Sequence, residues 1–428
     1  ARLRPPLSTI TFVGMMFNSS QEVNHFFNVT RSAKSLWHVI RRLAAHTRDL
    51  ALHRRGMRLT SGNALTARLA LSAARLGVPI LTSSPVTRLL RDGARVNGVE
   101  IGETCSGRAI HARRAVVLAC GGFPLDEARR AELFAHDRTG KDHSSPAPGG
   151  NTGDGLRLGE SAGAALEGQL PNAAAWIPVS RVPARGGGHI VFPHLIDRYK
   201  PGVIAVGADG RRFVNEADSY HDFGQAMIAA AGGGECRAWL VCDRRALRKY
   251  GLGFVKPFPL PISGHLRSGY LLSGRTPREL AHKAGFDAAG FEAEIEAYNR
   301  DARNGVDTKF AKGISAYNRF LGDPAHGPNP CVGPLEDAPY YAIRLHLGDL
   351  GTFAGLRTDA TTRVLDVAGR PVPGLHAVGN DASSVMGGAY PGGGITLGPA
   401  MTAGYIAGTY IADSDKTART ETAERVDI

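Results

Sequence analysis

Cysteine is scarce and unpatterned. Cys105, Cys120, Cys236, Cys242 and Cys331 are the five in 428 residues, with no CxxC spacing. An odd, scattered set argues for reduced thiols and a cytoplasmic setting, and against a disulfide framework or a zinc site. No run of about 18 apolar residues occurs, which excludes a transmembrane helix while leaving peripheral membrane contact open. The opening Ala1-Arg2-Leu3-Arg4-Pro5-Pro6 has neither an initiating Met nor a signal-peptide pattern, and reads as the middle of something longer. There is no internal repeat. A GxGxxG spacing, the fingerprint of a βαβ dinucleotide-binding unit, is absent throughout.

Glycine, by contrast, is abundant: 54 residues without a collagen-like period, which points to many tight turns and close backbone approaches. The formal charge of +12 suits an anionic ligand, an acidic membrane surface or nucleic acid. Nucleic acid is disfavoured because the basic residues are dispersed, and the densest group, Arg31 to Arg58, reads as the solvated side of a helix. The length allows two domains, or one large domain with an insertion.

In chain order, residues 8–18 form an apolar strand-like run. Residues 21–55 have helical spacing, with Phe26, Phe27, Leu36, Val39, Ile40, Leu43 and Leu50 opposite a basic face. A short helix runs to about Gly77, its C-terminal glycine. Residues 78–81, 86–90, 96–101 and 109–111 read as strands, with a turn at Arg91-Asp92-Gly93. Ala115 to Ala119 is fully apolar and runs into Cys120-Gly121-Gly122, the pattern of a central parallel strand meeting a ligand at its carboxyl end. A loop closes on Asn151-Thr152-Gly153-Asp154-Gly155, either a plain turn with a helix N-cap or part of the same site, before a helix through Gly163. From about Pro171 to Asp337 prolines and glycines break the chain into short strands (202–206, 239–242) and helices. One helix is announced by the capping box Thr276-Pro277-Arg278-Glu279, and another, Ala288 to Arg303, carries Phe291, Ile295 and Tyr298 on one side. The strand and glycine pattern resumes at Tyr341, so this block reads as a domain inserted into the first.

The chain is organised around residues 374–402. Leu375 to Val378 reads as a buried strand ending in Gly379 and Asn380. Six glycines fall between Gly387 and Gly398 around Tyr390, and a helix is expected from Pro399 through the small, apolar run Ala400 to Ala412. Strand, glycine loop and helix start together make an anion or cofactor cradle, because glycine permits close approach and the first N–H groups of a helix carry partial positive charge. Two further stretches gather polar residues: Gly348-Asp349-Leu350-Gly351-Thr352 with Gly355 to Asp359, read as a turn and hairpin, and Gly210 to Asp222. They and the cradle place Tyr220 and Tyr390 in polar or glycine-rich settings.

In these residues the chain resembles the flavin-dependent 3-ketosteroid dehydrogenases, within the wider group of fumarate reductase and succinate dehydrogenase flavoproteins. The matching positions are Gly348 to Thr352, Gly355 to Asp359, Gly379-Asn380, Met386-Gly387, Tyr390-Pro391-Gly392, Gly398 to Thr402, and Arg211 to Tyr220. The resemblance implies an α/β fold: a Rossmann-like FAD-binding domain (1–171 and 338–413, with a polar tail 414–428) and an inserted α+β cap or substrate domain (172–337). It implies FAD, held by Ala119, Cys120, Gly121, Gly122, Asn151, Thr152, Gly153, Asp154, Gly379, Asn380 and the N–H groups of Thr396 and Leu397. It also implies catalytic roles. Tyr390 and the Gly394 N–H would hold a ketone oxygen, and Tyr220 would remove the adjacent proton, with His221 and Asp222 as candidates for its proton path.

The implied activity is introduction of a C=C bond next to the ketone of a hydrophobic cyclic, steroid-like substrate, with an external electron acceptor and no metal. Because GxGxxG is missing, the polypeptide is expected to lack the amino-terminal piece that cradles the diphosphate. Two alternatives stand beside this reading. A fumarate-type enoate reductase would need an arginine that is absent from Gly374 to Ala412. A non-catalytic fragment would carry the glycine loops as relics.

Overall fold

The computed structural model describes residues 32–102, 107–140, 142–184 and 186–426, with residues 14–17 and a few other positions before residue 32. The strand expected over 8–18 and Cys105 therefore lie largely or wholly outside the described residues. The chain divides into two compact units, Ala1–Ser84 and Pro85–Ile428.

In the first unit, helices Ala33–His53 and Ser61–Arg75 form as the spacing predicts, with Gly77 in the left-handed region after the second. The buried stripe of the first helix is not the apolar one, however. Ser35, Val39, Arg42 and His46 are buried, whereas Leu36, Ile40, Leu43 and Leu50 are exposed. The Arg42 guanidinium is drawn inward by Glu22 at 2.7 Å and the Met16 carbonyl at 3.1 Å. Polar pairing, which hydrophobic periodicity does not see, thus selects the buried face. Residues 78–81 form no strand.

The second unit contains three sheets that matter for the site. Val86–Asp92, Arg95–Ile101 and Arg108–His111 make an antiparallel sheet, turning at Gly93 (φ +55°). Arg363–Leu365 and Pro371–Ala377 pair antiparallel, and the latter pairs parallel with Val116–Leu118 through Leu375↔Val116, His376↔Val117 and Ala377↔Leu118. The expected parallel strand is present, but it stands at the edge of its sheet among the described residues, with Val117 exposed. Its carboxyl end and that of Pro371–Ala377 lie side by side, tied by the Val378 N–H to the Leu118 carbonyl at 3.0 Å.

The largest sheet orders His189–Pro193, Ala174–Pro183, Tyr340–Thr352, Ala238–Cys242 and Val203–Gly207, with Leu272–Gly274 also on Tyr340–Thr352. Alternation along its strands feeds two cores. Val203, Ala205 and Leu240 face one, whereas Ile204, Val206 and Val241 join Phe291 and Ile295 of the helix Ala288–Ala302 in the other. Gly348 to Thr352 is the end of a continuous strand and not the expected turn, since Gly351 (φ +128°) is accommodated as an irregularity between Asp349 and Thr352. Helix Tyr220–Ala231 lies on this sheet, where a Cβ at Gly224 would come within 2.5 Å of the Trp176 Cβ, so only glycine allows the approach. The C-terminal helix, Leu397–Val426, starts two residues before Pro399 and runs past Ala412; proline is tolerated in its first turn because the N–H it removes has no partner there.

Candidate active site

The carboxyl ends of the two parallel strands form one wall. Gly121 (φ +97°) and Gly122 (φ +78°) follow the first strand, and Gly379 and Asn380 follow the second. Asp381, fully buried, accepts hydrogen bonds from the N–H groups of Cys120 and Gly122, the latter at 2.9 Å. Burial nevertheless keeps its carboxyl above the usual range, the backbone donors offsetting only part of the cost. Although Cys120 is solvent-exposed as a residue, partial desolvation of its thiol and the Asp381 carboxylate beside it push the thiol up to about 11, so it is no ready nucleophile. Asn151 donates to the Gly121 carbonyl at 3.1 Å, and the Gly153 N–H donates to that of Gly122 at 3.1 Å. Helix Asp154–Ser161 then begins without a side-chain cap; Gly153 takes the cap position at φ +77°.

The third strand end completes this wall. A Cβ on Gly351 would lie 2.5 Å from the Asn380 Nδ2 and 3.2 Å from the Thr396 Cγ2, so these three positions are contiguous. Beyond them Gly392, Gly393 and Gly394 have nothing within 4 Å of where a Cβ would stand, and Leu397 at the helix start is 48% exposed. Two left-handed glycines, the Asn380 amide and an uncovered helix start form a cradle suited to the edge of a flavin nucleotide. Ala119 and Cys120 are exposed, and Gly121, Asn151, Thr152 and Asn380 are half-buried along it. Asp154, by contrast, pairs with Arg157 in its own helix.

Beside the cradle stand the two tyrosines. Tyr220 is the first residue of its helix, whose N-cap Ser219 accepts from the Asp222 N–H at 3.1 Å. Tyr390 packs on Phe353, Ile395 and Ala175. The two rings meet edge to face, centroids 5.0 Å apart and planes at 62°. Burial pushes the Tyr220 hydroxyl up to about 12; neighbouring Tyr317 adds to the rise and the Arg198 guanidinium opposes it. Of the residues expected on its proton path, His221 is turned elsewhere: its Nδ1 accepts from the Trp176 N–H at 3.1 Å and its ring stacks on Tyr390 at 5.4 Å. Asp222 is exposed. Asp381, Trp176 and Asn172 were not expected at the site, and His221 was expected there in another role. Only Asp381 had a visible sign, its place directly after Gly379-Asn380.

A flavoprotein oxidoreductase of mixed α/β fold is the class to which comparison with known proteins assigns this chain. The chain belongs to the FAD binding domain family, whose model matches residues 12–397, and FAD is accordingly its cofactor. It is 41% identical to the 4-oxocyclohex-2-ene-1-carboxylate 5-dehydrogenase of Sinomonas cyclohexanicum, over 96% of this chain and 70% of the relative. It is 39% identical to the 3-oxosteroid 1-dehydrogenase of Mycobacterium tuberculosis H37Rv, over 82% of this chain and 63% of that one. Among solved structures, the 3-ketosteroid delta1-dehydrogenase from Sterolibacterium denitrificans in complex with 1,4-androstadiene-3,17-dione superposes with a TM-score of 0.84 at 35% identity, covering 94% of this chain and 72% of that chain. Thus the chain spans between 63% and 72% of the length of these relatives.

Proposed function

We propose that this chain carries the active site of an FAD-dependent dehydrogenase that introduces a C=C bond next to the ketone of a hydrophobic ring. The observation that carries this reading is the meeting of Tyr220 and Tyr390, from separate elements, beside the glycine cradle. Both relatives named above act, by name, on ring ketones.

Removing hydrogen beside a ketone needs a donor at the carbonyl oxygen and a base at the adjacent carbon. Tyr390, on the glycine loop, donates its O–H to the ketone oxygen, and the neighbouring Gly394 N–H supplies a second donor. Tyr220 takes the proton from the carbon next to the carbonyl; burial raises its hydroxyl against that role, and the Arg198 charge offsets part of the rise. FAD, when bound, supplies the hydride acceptor that no side chain can be. Asn380 and the N–H groups of Thr396 and Leu397 would hold it at the helix start, whose partial positive charge would suit negative charge on the group. Turnover would also need an external electron acceptor. A fumarate-type reductase is disfavoured because no arginine lies in 374–412 to donate a proton or grip a dicarboxylate.

The test is anaerobic mixing of the FAD-reconstituted chain with a 3-oxosteroid and, separately, with 4-oxocyclohexanecarboxylate. Bleaching of the flavin by either ring ketone, but not by succinate, is the expected result. Tyr390→Phe is expected to slow bleaching by about 100-fold or more, the scale of losing one oxyanion donor. Bleaching at the normal rate in that variant discards the role given to Tyr390.

A further inference from the structure

The loop that carries Tyr390 cannot aim a side chain by itself. Six glycines stand between 387 and 398, and Gly387, Gly388 and Gly394 take φ of +59°, +82° and +96°. A donor that must meet a developing oxyanion needs a fixed direction, since a misplacement of about 1 Å can cost about 100-fold in rate. The fixing comes from outside the loop, and it converges on Trp176.

Trp176 has two N–H groups, and each orients a different side chain. Its indole Nε1–H donates to the Asn172 Oδ1 at 2.8 Å. Because an indole N–H can only donate, the Asn172 amide is turned so that its Nδ2 faces the loop, where it donates to the Gly388 carbonyl at 3.0 Å. The fit there is close: a Cβ on Gly388 would lie 3.0 Å from both the Asn172 N and O.

The backbone N–H of Trp176 donates to the His221 Nδ1 at 3.1 Å. That bond requires a lone pair on Nδ1, so the proton of the neutral ring sits on Nε2. His221 is 2% exposed, and its Nε2 has no partner within the described residues. The ring lies nearly parallel to that of Tyr390, at 22° and 5.4 Å between centroids, with Phe353 at 6.0 Å on its other contact. Trp176 is itself wedged edge-on by Phe134 and His136, each at 4.9 Å.

We propose that His221 and Asn172, both oriented by Trp176, form a clamp that positions Tyr390: one side chain sets the plane of the phenol and the other anchors the loop two residues before it. The proposal rests on the reading of Tyr390 as the ketone donor. Both arms act through Tyr390, so they are positioning residues and not catalytic ones. Burial holds the His221 imidazole below its ordinary pKa and keeps the neutral tautomer that the clamp requires. A protonated ring would carry a hydrogen on Nδ1 and oppose the Trp176 N–H.

Three variants of the full chain, reconstituted with FAD, test it. His221→Phe keeps a flat ring against Tyr390 but removes the acceptor for the Trp176 N–H, and is expected to lower kcat by about threefold to tenfold, while His221→Asn drops the ring and Asn172→Asp removes the donor to Gly388. Each of these last two is expected to lower kcat by about 10-fold to 100-fold with KM changed less than about threefold, the signature of a mis-aimed donor. A readout without catalysis accompanies them. Long-range 1H–15N correlation on histidine-labelled protein near neutral pH should show a neutral Nε2–H ring that disappears in His221→Phe. Full kcat in both His221→Asn and Asn172→Asp, or an Nδ1–H tautomer for His221, overturns the clamp. If Tyr390→Phe is slow while the clamp variants are normal, the clamp fails alone; if Tyr390→Phe is itself normal, the functional reading fails and the clamp with it.

Discussion

At the scale of single residues, Gly122 shows how little freedom the cradle leaves. Its φ of +78° is a conformation that L side chains resist by about 1–2 kcal/mol. A Cβ there would also stand 2.2 Å from the Thr352 Oγ1 and 3.0 Å from the Asn380 carbonyl oxygen. Both neighbours belong to the wall proposed above to face the cofactor, so relief of the clash must move that wall. Gly122→Ala is expected to raise the Kd for FAD by about tenfold or more, equivalent to about 1.4 kcal/mol, as read by titration of flavin fluorescence. Wild-type affinity in that variant would remove Gly122 from the site. The paired glycines were visible in the sequence as a place of close approach; Thr352 as the neighbour that requires them was not, because the two meet only through the fold.

Among the elements, helix Pro277–Ala284 formed for the local reason its sequence announces. The Thr276 Oγ1 accepts from the Glu279 N–H at 3.1 Å, and the Glu279 carboxylate reaches back to the Arg275 N–H at 2.8 Å, one residue before the cap. Thr276→Ala is expected to cost about 1 kcal/mol of stability and Thr276→Ser much less, measured by urea unfolding followed by circular dichroism. Equal stability of the alanine variant would show that this cap contributes nothing. Other elements answer to distant partners. Ser180, His194 and Asp197 are joined by hydrogen bonds of 2.9 Å and 2.6 Å in the order of a hydrolytic triad, yet Ser180 and His194 are fully buried and Tyr270 occupies the Ser180 hydroxyl at 2.8 Å. Connectivity alone therefore does not make a nucleophile; here it braces the strand Ala174–Pro183. The helix Ala33–His53 teaches the same point from the other side, since the pairing of Arg42 with Glu22 overrode its apolar stripe.

For the whole molecule, buried neutral histidines set the response to acid. His136 is held down to about 3, first by burial and then by His143 and the Arg130 guanidinium nearby. It bonds His143, which bonds Asp349, whose other oxygen accepts from the Gly351 N–H at 2.8 Å, so the chain of contacts reaches the cradle wall. In the unfolded chain His136 takes up a proton near its ordinary pKa of about 6.5. Its folded pKa is lower, so its contribution is complete above about pH 6.5 and is lost as pH falls from there toward 3. At pH 5 the expected loss from this residue is about 2 kcal/mol relative to pH 7, read as the difference in urea unfolding free energy. His136→Asn should flatten that difference; an unchanged pH dependence in the variant would assign the acid lability to other groups. Among the described residues no helix is long and apolar enough to cross a membrane.

By itself the sequence determined whatever local chemistry controls: the helices with caps and C-terminal glycines, the hairpin at Gly93, the buried run at Leu375, and the glycine loop around Tyr390. It also carried the family, because backbone approach to a flavin demands glycines at fixed offsets that survive in the linear text. Only the tertiary structure decided that Val116–Leu118 pairs with Pro371–Ala377, that Gly348 to Thr352 continues a strand, that the Arg42 side of a helix is buried, and that Trp176 donates hydrogen bonds to both His221 and Asn172. Those outcomes depend on burial and on hydrogen-bond partners far apart in the chain, and a side chain's partner is a property of space that residue order does not record.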